Sequence, residues 1–300
     1  MTWVASLLGR VAATVAAVSL VACASPPPLQ PWSLPPDASA LGQSGPWRVV
    51  EADISREVDA ARGDCQAVVE RYTPQGDAPP GRTPLVFAHG FLRDVAQHRD
   101  HARHWASWGV PVYLVGHCSG GWTRPVEGVA GGGAGVLAGF MRQVADASGA
   151  PAVVYGGFSA GGRASRLVAW GDARTVGWLG LDPVDRLPRD TPTAPFPMAA
   201  LFAPPQSCNA QQVGRGLTRA AADGRSLQVQ GSTHCHFEWP SNVLCRAACG
   251  EPGSEEHNAE LRRRISTLAL AFLRWRVGLD AQPPDAMWAD NPGLWVQPAP

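Results

Sequence analysis

Short apolar runs rich in Val and Leu recur along the chain: Trp47 to Val50, Ala67 to Tyr72, Pro84 to Ala88, Val110 to Val115, Ala152 to Tyr155, Val176 to Leu181, Met198 to Phe202 and Leu227 to Gln230. Their length and their Gly, Pro and polar borders predict strands. Between most of them lie amphipathic or Ala/Arg-rich stretches of helical length: Val95 to Trp108, Gly135 to Ala147, Ala160 to Trp170 and Asn209 to Ala222. The strongest helical pattern is Asn258 to Val277, where Leu261, Ile265, Leu268 and Phe272 share one face. Strands alternating with helices predict an α/β domain with a mostly parallel central sheet flanked by helices on both faces.

The two ends break this pattern. Val11 to Ala22 is apolar and uncharged after Arg10. It falls short of the roughly 20 residues of a membrane span and reads as the apolar part of a secretion signal. It closes on Leu20-Val21-Ala22-Cys23, which resembles a bacterial lipoprotein box and predicts lipid attachment at Cys23. The Pro-rich stretch that follows, Pro26 to Pro36, suits a semi-rigid spacer. The expected organisation is a signal at 1–22, a tether at 23–45, a catalytic-size domain at 46–279 and a Pro/Trp-rich tail at 280–300, extended or disordered. The expected location is outside the cytoplasm, held to a bacterial membrane by lipid.

Composition narrows the chemistry. With 45% hydrophobic and 17% charged residues the chain can bury a core. Basic and acidic residues balance at 25 each, which argues against a nucleic-acid partner. All the basic residues are Arg, so mechanisms that need a lysine are excluded. Setting Cys23 aside leaves Cys65, Cys118, Cys208, Cys235, Cys245 and Cys249, an even set that predicts disulfides in an exported protein. A bridge from Cys235 to Cys245 or Cys249 is one local pairing.

The chemistry centres on Gly157-Phe158-Ser159-Ala160-Gly161, a G-x-S-x-G set between a predicted strand and a predicted helix. Such a turn exposes the hydroxyl and places it at a helix start, where free amides face developing negative charge. Gly116-His117-Cys118-Ser119-Gly120 is a competing thiol turn, but the Pro and Gly cluster behind it cannot continue as a helix. The acid should follow the serine, and Thr191 to Ala222 contains no Asp or Glu. Elimination leaves Asp182, at a strand end, ahead of Asp185. In Gly231-Ser232-Thr233-His234-Cys235-His236-Phe237-Glu238, His234 is preferred over His236 as general base. The turn Ala88-His89-Gly90-Phe91 offers the amide of Phe91, with that of Ala160, as oxyanion donors; His89 is expected to orient the loop.

These segments, HGF at 89–91, GFSAGG at 157–162, GLDPVD at 180–185 and GSTHCHFE at 231–238, resemble those of α/β-hydrolases, and within that fold of the chlorophyllase and cutinase-like lipid-ester and polyester hydrolases. Plant chlorophyllases usually carry His before the serine; this chain carries Phe158. The resemblance implies an α/β-hydrolase fold and a Ser159–His234–Asp182 triad acting on an apolar ester, without cofactor or metal. His98, His101 and His104 recur at helical spacing, and His234, His236, Cys245 and Cys249 could mimic a zinc set. Solvation or aromatic packing of the three histidines, and disulfides for the cysteines, account for these residues better than a metal does. A competing reading is a non-catalytic, surface-anchored binding protein on the same scaffold.

Overall fold

The computed structural model describes residues 40–62, 65–76, 82–117, 133–289 and 294–297. The predicted leader, Cys23 with its predicted lipid attachment, most of the predicted tether and Cys118 lie outside the described residues. The chain alternates strands and helices: β1 Arg48–Asp53, α1 Ser55–Val58, β2 Ala61–Arg62, β3 Cys65–Gln66, β4 Val68–Gln75, β5 Leu85–Ala88, α2 Arg99–Ser107, β6 Val112–Gly116, α3 Gly133–Ala147, β7 Val153–Phe158, α4 Ala160–Gly171, β8 Thr175–Leu181, β9 Met198–Phe202, β10 Gly224–Val229, α5 Val243–Cys249, α6 Glu255–Arg276, α7 Asp285–Ala289 and β11 Leu294–Gln297. All eight predicted strands form.

Nine strands make one sheet in the order β1-β4-β6-β5-β7-β8-β9-β10-β11. From β6 to β10 neighbouring strands run parallel; β1 and β4 on one side and β11 on the other run antiparallel. Successive strand residues face opposite sides. Leu85 and Phe87 of β5, Leu179 and Leu181 of β8 and Leu227 and Val229 of β10 join the core under α2 and α6. Val86, Ala88, Trp178, Met198, Ala200 and Phe202 join a second core under α3 and α4. Helices therefore cover both faces, and the protein is of the α/β class. Near-continuous apolar runs such as Leu85–Ala88 follow from burial on both sides. Among the described residues no helix is long and apolar enough to cross a membrane.

Two expectations are corrected and one, for the tail, is narrowed to its extended alternative. Asn209 to Ala222 is not an α-helix: Ala210, Gln211 and Gln212 are left-handed, and short 3-10 turns fill Ser207–Asn209 and Val213–Ala220. The Asn209 side chain caps these turns, accepting from the amides of Gln206 and Gln212, each at 3.0 Å. Asn competes with helical hydrogen bonding in this way. The domain also begins before residue 46. Ala40–Gly42 forms a 3-10 turn, and the carbonyls of Leu41 and Gln43 accept from His104 Nε2 (2.7 Å) and Trp108 Nε1 (2.9 Å). The tail, finally, belongs to the domain. β11 adds to the sheet, Trp288 is buried against Phe272 (6.4 Å between ring centres), and Arg225 Nη2 donates to Asp285 Oδ2 (2.9 Å).

Candidate active site

The carboxyl ends of parallel strands gather loops on one rim, and three of these loops carry the chemistry. Ser159 is the residue between β7 and α4. Its backbone is held at φ 53° and ψ −122°, a region that costs a non-glycine residue about 1–3 kcal/mol. The turn is stitched to its neighbour: the Ser159 amide donates to Leu181 O (3.0 Å), and the Val184 amide to Ser159 O (2.9 Å). Close approach explains the flanking glycines. A Cβ on Gly157 would lie 2.3 Å from Gly161 O, and one on Gly161 would lie 2.3 Å from His89 O.

Asp182 follows β8 directly and His234 follows β10, each reaching back over the strand ends. His234 Nε2 lies 3.0 Å from Ser159 Oγ, and His234 Nδ1 lies 2.7 Å from Asp182 Oδ2. All three side chains are buried, Asp182 fully. The structure thus brings together Ser159, His234 and Asp182 from across 75 positions of sequence. A serine, an imidazole and a carboxylate in one unbroken hydrogen-bonded chain can pass a proton from the hydroxyl to the ring while the carboxylate fixes the tautomer.

The alternatives are occupied elsewhere. Asp185 pairs with buried Arg166, whose Nε lies 2.5 Å from Oδ2. His236 accepts from the Thr233 amide at Nδ1 (2.8 Å) and meets Asn258 Oδ1 at Nε2 (2.9 Å). Burial pushes its pKa down to about 4, which keeps it neutral. His89 lies behind the turn that carries Gly90 and Phe91. Its Nε2 accepts from the His117 amide (3.1 Å), so Nδ1 carries the proton donated to Gly90 O (2.7 Å). Burial also pushes His89 down to about 4. The turn it holds abuts the serine, since a Cβ on Gly90 would lie 3.0 Å from Ser159 Cβ. No backbone carbonyl among the described residues accepts from the Phe91 or Ala160 amide.

His98, His101 and His104 are packed in the core. His104 bonds Ser266 Oγ and Leu41 O, each at 2.7 Å. His98 and His101 lie in a run of rings from Trp105 to Phe158, and Phe158 in turn covers His234 with ring centres 4.5 Å apart. Burial holds His101 down at about 3 and His98 well below its ordinary value. Cys208–Cys249 and Cys235–Cys245 are disulfides, and Cys65 is disulfide-bonded too. The sulfurs of Cys235, Cys245 and Cys249 lie within 4.8 Å of one another. With each of these sulfurs in a disulfide, they are not thiolate ligands for a metal.

Sequence reasoning missed Asn209 and the pairing of Arg93 with Glu238. Asn209 Nδ2 lies 3.3 Å from both oxygens of Asp182, and the Ala203 amide donates to Oδ1 (3.2 Å). Phe158, singled out in the sequence, lies tilted over the imidazole, the ring planes 32° apart. Glu238, at the end of the quoted histidine segment, pairs with Arg93 beyond Phe91. No spacing rule marks Asn209 or Arg93; only the fold puts them here. Comparison with models of known protein families gives no match, and a search of curated proteins gives none either.

Proposed function

We propose that this protein is a serine ester hydrolase with an α/β-hydrolase fold, acting through an acyl-enzyme. The observation that carries the proposal is the chain from Ser159 Oγ to His234 Nε2 (3.0 Å) and from His234 Nδ1 to Asp182 Oδ2 (2.7 Å). Parallel strand order and a positive-φ serine between β7 and α4 support the fold.

In the proposed reaction Ser159 Oγ attacks the ester carbonyl as His234 Nε2 takes its proton. Asp182 stabilises the imidazolium that forms. The amides of Phe91 and Ala160 donate to the oxyanion. Collapse expels the alcohol, which takes the proton from Nε2. Water then gives a proton to the same nitrogen and attacks the acyl carbon; collapse breaks the bond to Ser159 Oγ, which takes that proton back from Nε2 as the acid leaves.

An apolar ester suits the exposed Phe91 and Leu92 of the oxyanion turn and the exposed Val243 and Leu244 of α5. α5 is bridged through Cys245 to the residue after His234. Together with the Cys23 motif, this suggests an exported, lipid-anchored enzyme working on lipid-like or polymeric esters, with no cofactor required. Purified protein should hydrolyse p-nitrophenyl butyrate and p-nitrophenyl palmitate, and S159A should lose at least about a thousandfold in kcat/KM. Equal, slow hydrolysis by both proteins refutes the proposal and favours a binding protein.

A further inference from the structure

We propose that Arg93 is a positioning residue: its guanidinium, seated on the buried carboxylate of Glu238, grips the carbonyl of Leu92 and so fixes the Phe91 amide beside Ser159. The inference rests on the ester-hydrolase proposal above.

The loop from Gly90 to Arg93 has little else to hold it. Phe91 and Leu92 are 43% and 48% exposed and supply little packing. Leu92 sits at φ 55°, a conformation a leucine does not keep unaided. Beyond Arg93 the chain is firm, because Asp94 and Gln97 form a reciprocal cap, with the Ala96 amide 2.7 Å from Asp94 Oδ1 and the Asp94 amide 2.9 Å from Gln97 Oε1. Before Phe91, His89 Nδ1 holds Gly90 O at 2.7 Å. The peptide after Leu92 is held by Arg93 Nη1, which donates to Leu92 O at 3.1 Å. Phe91 therefore lies between two clamped carbonyls.

The second clamp draws its rigidity from the histidine loop. Arg93 Nε donates to Glu238 Oε1, and the Glu238 side chain is completely buried. Glu238 is four residues past His234, and its amide bonds Cys235 O (3.1 Å). Next to it the Trp239 amide bonds Gln97 O (2.7 Å). Burial raises the Glu238 carboxyl, and the Arg93 cation opposes that rise. One ion pair thus registers the loop bearing an oxyanion donor against the loop bearing the base. An Arg can serve two acceptors at once through its planar fork; a Lys cannot do so in this geometry.

The test compares full-length wild type, R93A, R93K and E238Q. It measures kcat and KM on p-nitrophenyl butyrate, inhibition by phenylboronic acid as a tetrahedral mimic, and Tm. R93A should lose about 10- to 100-fold in kcat with KM within about twofold, and boronate affinity should fall by a similar factor. R93K should resemble R93A. E238Q keeps an oxygen acceptor for Arg93 and should lose less than R93A. A lowered Tm with unchanged kcat and boronate affinity would mean a merely structural ion pair and overturn the inference. Should R93A fail to fold, R93K decides by the same readouts. Wild type that neither hydrolyses the ester nor reacts with diethyl p-nitrophenyl phosphate sinks the hydrolase proposal, and this inference with it. Active wild type with unaffected R93A and R93K sinks this inference alone.

Discussion

Replacing Asp182 by Asn tests the proposed mechanism with almost no change of shape. The carboxylate is fully buried, and its two oxygens share Asn209 Nδ2 at 3.3 Å but otherwise have different neighbours. Oδ1 accepts from the Ala203 amide, a donor fixed by the backbone, at 3.2 Å, while Oδ2 faces His234 Nδ1 at 2.7 Å. In D182N the amide oxygen is expected to take the Oδ1 position, leaving the NH2 toward Nδ1. His234 must then accept there and carry its proton on Nε2, where it can no longer receive the proton of Ser159. The flipped rotamer would place the NH2 against the Ala203 N–H and leave buried donors unpaired, at a cost of about 1–3 kcal/mol. The productive tautomer is therefore a minority, from under about 1% to about a sixth, and it also lacks the negative charge that steadies the imidazolium. The expected loss is about 10³- to 10⁴-fold in kcat/KM, or about 4–5.5 kcal/mol of transition-state stabilisation. Steady-state hydrolysis of p-nitrophenyl butyrate at pH 8 measures it, with circular dichroism melting to show that the fold is kept. A folded D182N within threefold of wild type would refute the tautomer argument.

Two further outcomes follow from the buried imidazoles and the predicted anchor. Burial pushes His89 and His236 down to about 4 and His101 to about 3, against about 6.5 in the unfolded chain. As pH falls the unfolded chain takes up protons first. This stability is therefore fully present above about pH 6.5 and is lost progressively toward pH 4, by about 2 kcal/mol per histidine at pH 5. Melting curves at pH 7.5 and 5.0 should differ by about 10 °C or more; equal Tm values would contradict the buried-neutral assignment. For the anchor, C23S should move the expressed protein from the membrane fraction to the soluble one, and unchanged partitioning would defeat the lipid assignment.

The core strands were legible because burial on both faces writes continuous apolar runs, and those runs survive any detail of the loops. Leu85–Ala88 and Met198–Phe202 are examples. The serine turn was legible for a related reason: a strand, a tight Gly-flanked bend and a helix leave a local imprint. The choice of Asp182 came from an absence of acids downstream, and His234 came from its place after the last apolar strand. What stayed hidden depends on contacts between distant residues. Asn209 looked like the start of a helix, since periodicity registers a side chain's polarity but not that it will cap its own backbone and reach Asp182. The short helix Val243–Cys249 has one apolar pair and two cysteines, too little pattern to mark it. In the tail, five prolines outweighed Met287 and Trp288, which the core recruits. Arg93 and Glu238 are 145 positions apart, and no local rule connects them.

α5 carries half of each described disulfide. Cys249 ties it to Cys208, the neighbour of Asn209 that braces the acid, and Cys245 ties it to Cys235, the neighbour of His234. The two crosslinks span 41 and 10 residues, enough to remove about 4 and about 3 kcal/mol of unfolded-chain freedom respectively. A seven-residue segment with almost no core of its own thus sets the spacing between acid and base by covalent means. Reducing these two crosslinks is therefore expected to lower Tm and to loosen the register between the Asp182 and His234 loops, while the strand ends that carry Ser159 and Asp182 stay in place.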